Sequence, residues 1–248
     1  TSLATTLGFA SATAMVNTLD AATLAKILQY HVLPTAKTAA QIAGGGATQA
    51  TLYTFEGAAS TLSVSSTAGV KLTDEVLTQA TVTTADVAAS NGVIHVIDKV
   101  LVPPGVLDIV QMAKLNPTFS VLVEAVVAAN LANALSGAGP LTVFAPTNDA
   151  FTAALTELSL TKAQLLASPS LSGILTYHVV NGNVRAADVV ALPKPASVAT
   201  LQGSTFSVGT TLAITDGRTR VANLVATDVI ASNGVIHVID KVLLPPIN

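Results

Sequence analysis

The chain has 248 residues, half of them apolar and 10 % charged, with 11 Lys plus Arg against 14 Asp plus Glu and a formal net charge of −3; so few scattered cations leave no footprint for a phosphate backbone, and nucleic acid is excluded as an expected partner. The absence of cysteine excludes disulfides and thiolate metal sites, and it leaves the redox compartment open. No run of 18 or more residues is free of polar interruption, so no transmembrane helix is expected, and Asn-X-Ser/Thr sequons are absent.

The opening segment TSLATTLGFAS has neither a basic nor an apolar leader region, so any secretion signal is expected to lie outside it. Leu24, Ile27, Leu28 and His31 follow at i, i+3, i+4, i+7, which predicts a helix with an inward apolar face that ends at the histidine. Gly44-Gly45-Gly46 lacks the Lys and Ser/Thr of a phosphate loop and reads as a flexible turn. From 48 to 98 the text is strand-rich, closing on Asn91-Gly92 and the alternating run GVIHVID, in which Val93, His95 and Ile97 share one face and Ile94, Val96 and Asp98 the other. Both faces are mostly apolar, which predicts a central strand. Pro103-Pro104-Gly105 gives a short, stiff junction.

Two helices are expected over 106–135, divided by Asn116-Pro117. LTVFAP at 141–146 reads as a strand closed by proline, and Thr147-Asn148-Asp149 as the start of a helix through Phe151 and Leu155. Leu171, Ile174, Leu175 and His178 repeat the first helix face, and 197–240 is again strand-rich with Asn233-Gly234 before GVIHVID. Helices followed by strands in each half predict an α+β fold with largely antiparallel strands.

The text is duplicated. ASNGVIHVIDKVLVPP (89–104) and ASNGVIHVIDKVLLPP (231–246) agree at 15 of 16 positions with an offset of 142, and ILQYHVL ending at Leu33 matches ILTYHVV ending at Val180 with an offset of 147. Two domains are expected, 1–104 and 105–248. Carrying the offset upstream sets residue 1 opposite Asn148, so about 43 residues equivalent to 105–147, two helices and one strand, have no counterpart in the first copy. Either the chain continues upstream, or another chain supplies the strand, since an open edge accepts a partner and is a route to self-association.

All four histidines, His31, His95, His178 and His237, fall in these boxes. Nothing about them points to chemistry. His95 and Asp98, like His237 and Asp240, project to opposite faces of a strand and form no dyad. Neither HExxH nor a dense His/Asp cluster is present, so no metal and no cofactor is expected. Without Cys or a G-x-S-x-G elbow, no nucleophilic catalysis is expected either. Architectural roles account for the rest. Phe144 and Phe151 serve as core anchors, Asn148 and Asp149 start a helix, Asn91 and Asn233 turn the chain, and Asp98 and Asp240 hold backbone amides at the strand end.

TVFAPTNDAF (Thr142–Phe151, including Pro146 and Thr147), the Tyr30-His31 and Tyr177-His178 pairs, and the twice-written NGVIHVIDKVL resemble the first box, the Tyr-His element and the second box of the fasciclin domain. The likeness covers essentially the whole chain, the second copy complete and the first truncated at its N-terminus. It implies two units, each a wedge-like β-sandwich with helices along one side, in a non-enzymatic protein of the cell exterior, cell surface or periplasm. It further implies adhesion or matrix contact with a protein receptor, with Tyr30, His31, Tyr177 and His178 as candidate contacts. An alternative drawn from the same resemblance is a carrier of a small apolar ligand such as a carotenoid.

Overall fold

The structure, a computed structural model, describes residues 2–6, 9–67 and 69–247. The chain divides into two compact units, Thr1–Leu107 and Asp108–Asn248, whose outermost residues lie outside the described ones. Both are α+β.

The first unit opens with helices α1 (Ser2–Thr6), α2 (Ala12–Thr18), α3 (Ala21–Tyr30) and α4 (Ala39–Gly44). The side chains of Ser11, Asp20 and Thr38 each accept a backbone N–H of the first turn they precede, satisfying donors that a helix start leaves free. Five strands follow in one antiparallel sheet, in sequence order: β1 (Thr48–Phe55), β2 (Ala58–Ser65), β3 (Lys71–Thr73), β4 (Gln79–Ala89) and β5 (Gly92–Ile97). Its core gathers Tyr30, Tyr53, Leu62, Ala80 and Leu101, with the two tyrosine rings edge to face at 6.2 Å.

The second unit begins with α5 (Ile109–Leu115), a 3₁₀ turn at Pro117–Phe119, α6 (Ser120–Ala128) and α7 (Ala132–Leu135). Then come β6 (Leu141–Pro146), α8 (Asn148–Glu157), α9 (Lys162–Leu166), α10 (Leu171–Tyr177), β7 (Val179–Asn181) and α11 (Ala186–Ala191). The strand-rich end holds β8 (Ala196–Ala199), β9 (Thr205–Val208), β10 (Ile214–Thr215), β11 (Val221–Ala222), β12 (Leu224–Ala231) and β13 (Gly234–Ile239). Two four-stranded sheets result, β11-β10-β9-β8 and β12-β13-β6-β7. Their shared core includes Phe144, Tyr177, Phe206, Ile214, Ile239 and Leu243.

One ladder departs from the antiparallel expectation. β6 runs parallel to β13, in register from Leu141 opposite Gly234 to Pro146 opposite Ile239. Parallel partners need a long connection, here everything from α8 to β12, and the pair ends up covered on both faces. Every residue of β6 and β13 is buried, which explains why neither strand alternates in polarity.

Two expectations are corrected in the first unit. GVIHVI at 92–97 is an edge strand, not a central one: Ile94 and Val96 are 54 % and 46 % exposed, whereas Ile236 and Val238 are 2 % and 3 %. Likewise the apolar face of α10 is interior, with Leu171, Leu175 and His178 buried, but Leu28 on α3 is 60 % exposed. In the second unit Leu175 lines an apolar cleft with Ile109, Leu122, Val126 and Val143, from α5, α6 and β6. A repeated local sequence specifies helix or strand; the elements that cover it decide its burial.

Candidate functional site

The two histidines of each unit are connectors between backbone segments. His178 closes α10, where its Nδ1–H donates to the Ile174 carbonyl at 2.8 Å and its Nε2 accepts the Leu243 N–H at 2.8 Å. That pair of partners fixes the neutral Nδ1–H tautomer. Burial pushes the imidazole down to a pKa of about 4, against weaker upward pulls from the Ile174 carbonyl and Asp216. His31 does the same between Ile27 (2.7 Å) and Leu101 (2.9 Å), but is half-buried.

The strand histidines use the other tautomer. His237 donates from Nε2 to the Val184 carbonyl at 2.9 Å and accepts the Asp228 N–H at Nδ1 at 3.3 Å; His95 pairs with Lys37 (2.8 Å) and Asp86 (3.3 Å). Asp86 and Asp228 sit at bulges in β4 and β12 with φ of 59° and 57°. Asp228 spends its carboxylate on the Ala186 N–H opening α11, and Asp86 does likewise with Ala39 at α4. Bulge, strand and helix start are thus tied through one His–Asp neighbour pair per unit. Every imidazole nitrogen is engaged by backbone, so the four rings serve as scaffold rather than as bases or ligands.

The tyrosines read as contact residues are interior. Tyr30 and Tyr177 are 1 % and 0 % exposed, and their hydroxyls donate to the Thr61 and Thr205 carbonyls at 3.1 and 2.8 Å. Burial raises both phenol pKa values, assisted by Glu75 and Asp74 at Tyr30 and by Asp216 at Tyr177. His178 is 2 % exposed. The exposed contacts expected of Tyr30, Tyr177 and His178 are therefore corrected: each side chain's polar atoms are directed to a carbonyl or amide inside its own unit.

The remaining box residues are joined within the second unit. Asn233 accepts the Ile109 N–H and donates to the Leu135 and Gly137 carbonyls, fastening α5 and α7 to the β12–β13 turn. Asn91, its counterpart, is exposed. Asn148 accepts the Val121 N–H and donates to the Pro117 carbonyl, while Thr147 caps α8 through the Ala150 N–H. Asp149 lies in the first turn of α8, where the helix dipole favours its charge. Thr142 bridges the Gly182 carbonyl and the Val184 N–H, Pro146 ends β6, and Phe151 is 2 % exposed. Asp98 and Asp240 accept the Thr81 and Asn223 amides from the neighbouring strands. Phe144 stacks at 5.3 Å on His237 and edge-on at 5.1 Å to Phe206.

Sequence reasoning missed a third repeated group. The Asp216 carboxylate accepts the Arg218, Arg220 and Leu244 N–H groups, each at 2.9 Å, and pairs with the Arg220 guanidinium. Asp74 accepts the Val102 N–H at 3.0 Å and pairs with Lys99 at 3.0 Å. The signal was present: Leu72-Thr73-Asp74 and Ile214-Thr215-Asp216 recur at the offset of 142.

Residues 7–103 and 117–245 match the model of the Fasciclin domain. Protein sll1483 of Synechocystis sp. is 48 % identical over 146 residues, 56 % of this chain and 74 % of that protein. Transforming growth factor-beta-induced protein ig-h3 of Sus scrofa is 37 % identical over 164 residues, 65 % of this chain but 22 % of that protein. Periostin of Homo sapiens is 32 % identical over 162 residues, 63 % of this chain and 18 % of that protein. In fold, the chain resembles a FAS1 domain pair from the insect cell adhesion molecule fasciclin I, with a TM-score of 0.55 and 21 % identity over 88 % of this chain and 79 % of that one.

Proposed function

The chain belongs to the fasciclin domain family, and from that premise we propose that it is a non-enzymatic adhesion or matrix-interaction protein of the cell exterior or envelope, acting through the outer surface of its two units. One observation carries the reading: the polar side chains of all three repeated boxes are committed to backbone groups of their own unit. What is left for function is the surface, which is sparsely charged and bears exposed apolar side chains such as Val190, Leu192 and Val225 at 59 %, 47 % and 62 %. Apolar anchors within a polar rim supply contact energy, and a second unit on the same chain raises the effective concentration of a second contact.

The carrier alternative gains no support. The cavities described in the two units reach about 30 and 160 Å³, against roughly 300–1,000 Å³ for small-molecule pockets.

Coating the protein at graded density and counting attached cells, or captured matrix protein, tests the proposal. Saturable attachment above an albumin control, reduced by Val190→Lys with Leu192→Lys, supports it. Attachment indistinguishable from albumin removes it.

A further inference from the structure

We propose that the free edge of β5 is an acceptor for an apolar strand of another polypeptide, which pairs parallel to Gly92–Ile97 and seats an aromatic side chain in the cavity beneath it. This interface does not rest on the contact reading above.

The chain carries its own template. GVIHVI is written twice, as β5 and as β13. On β13 the second edge is occupied by LTVFAP of β6, parallel and in register, and both strands are wholly buried. On β5 the same edge has no partner among the described strands. Edge strands that stay open are normally guarded by lysine, proline or a bulge. GVIHVI contains neither residue, and the bulge lies on β4, not on β5.

The edge also has room for a strand. At Gly234 an added Cβ would run into the Leu141 carbonyl, because β6 approaches that closely; at Gly92 nothing lies within 4 Å. β6 donates its Leu141 N–H to the Asn233 carbonyl at 3.0 Å, and the Thr147 N–H just beyond it goes to the Ile239 carbonyl at 3.2 Å. Asn91 and Ile97 hold the equivalent carbonyls on β5. Beneath it, the four residues equivalent to the surroundings of Phe144 line a cavity. Phe144 packs with His237, Phe206, Ile214 and Leu224; in the first unit His95, Leu62, Leu72 and Val82 stand there, around about 160 Å³ of empty space. An apolar void of about 150 Å³ admits a benzene ring, so a phenylalanine fits. A strand is the occupant that meets both needs, since it fills the void and satisfies the unpaired backbone at the edge.

The test titrates a fluorescent synthetic peptide of residues 139–149, GPLTVFAPTND, against the whole chain by anisotropy. Saturable binding is expected, weakened roughly tenfold or more when the peptide's Phe144 is Ala, and lost when the protein carries Ile94→Lys at the exposed edge. Leu62→Phe, which introduces into the cavity the ring that Phe206 supplies in the other unit, should also block the peptide. The His95 ring resonances should shift on peptide addition in the parent protein and not in Ile94→Lys. No saturable binding up to about 1 mM overturns the proposal. So does binding that ignores Phe144→Ala or Ile94→Lys. A concentration-dependent dimer that Ile94→Lys abolishes, without peptide binding, makes a second copy the occupant and overturns it too.

Discussion

Acidification from pH 7 to pH 5 should weaken the second unit through one side chain, His178. Its Nδ1–H donates to the Ile174 carbonyl and its Nε2 accepts the Leu243 amide, so a second proton has no place on Nε2 unless that amide is expelled. Burial sets the folded pKa near 4 against an ordinary 6.5. The sign follows: a histidine held below its unfolded pKa is protonated first in the unfolded chain, so its contribution is intact above pH 6.5 and is lost as the pH falls toward 4. At about 1.4 kcal/mol per unit, the loss is about 2 kcal/mol by pH 5 and about 3 kcal/mol by pH 4. With a urea slope of about 2 kcal/mol per molar, the midpoint should move down by about 1 M between pH 7 and pH 5. Urea unfolding at the two pH values, on the parent and on His178→Gln, isolates the effect, because glutamine does not titrate. The variant should be less stable at pH 7 and should lose about 2 kcal/mol less on acidification. Equal acid losses in the two proteins would refute the assignment.

Three further outcomes follow from the same geometry. Asp216→Ala should lower stability by about 3 kcal/mol or more in thermal unfolding, because the Leu244 N–H, in a residue 2 % exposed, loses its acceptor while the Arg220 guanidinium loses a counter-charge. Tyr177→Phe removes only the bond to the Thr205 carbonyl and should cost about 1 kcal/mol while leaving cell attachment unchanged; reduced attachment without unfolding would return the phenol to the surface. Ile94→Lys should stay within about 0.5 kcal/mol of the parent, whereas Ile236→Lys should unfold its unit, since one side chain is 54 % and the other 2 % exposed. Matching stabilities for that pair would contradict the different coverage of β5 and β13.

Much of the local structure was legible because its signals are local. Thr147 and Asp108 announce α8 and α5 by side-chain caps, the Tyr-His pairs end α3 and α10, and Asn-Gly closes each strand-rich half before GVIHVI. The roles of Asn148 and Asn233 were only half visible. Turn and cap chemistry is encoded within three or four residues, but the Asn233 bonds to Ile109 and Leu135 span 124 and 98 residues. The aspartates show the same division. Asp98 and Asp240 were read from their strand ends, whereas Asp74 and Asp216, which hold more groups, look like ordinary loop acids until their carboxylates are seen beside Val102 and Leu244.

Burial is the property that sequence repetition does not carry. The six residues of β5 and β13 are identical, and each strand folds back on the preceding strand through an equivalent hairpin. One is a covered interior strand and the other an exposed edge, because coverage arrives from β6, a parallel neighbour that no periodicity within GVIHVI can announce. The tyrosines err in the opposite direction. Their placement at the surface came from resemblance, yet Tyr30 and Tyr177 stand on the helix turn just before the buried ring contacts with Tyr53 and Phe206, where a hydroxyl reaching a strand carbonyl lets a large aromatic be buried whole. A side chain so used is a poor contact and a good wedge. It follows that recognition by this chain is encoded in outward positions that vary between its two halves, and not in the boxes that the halves share.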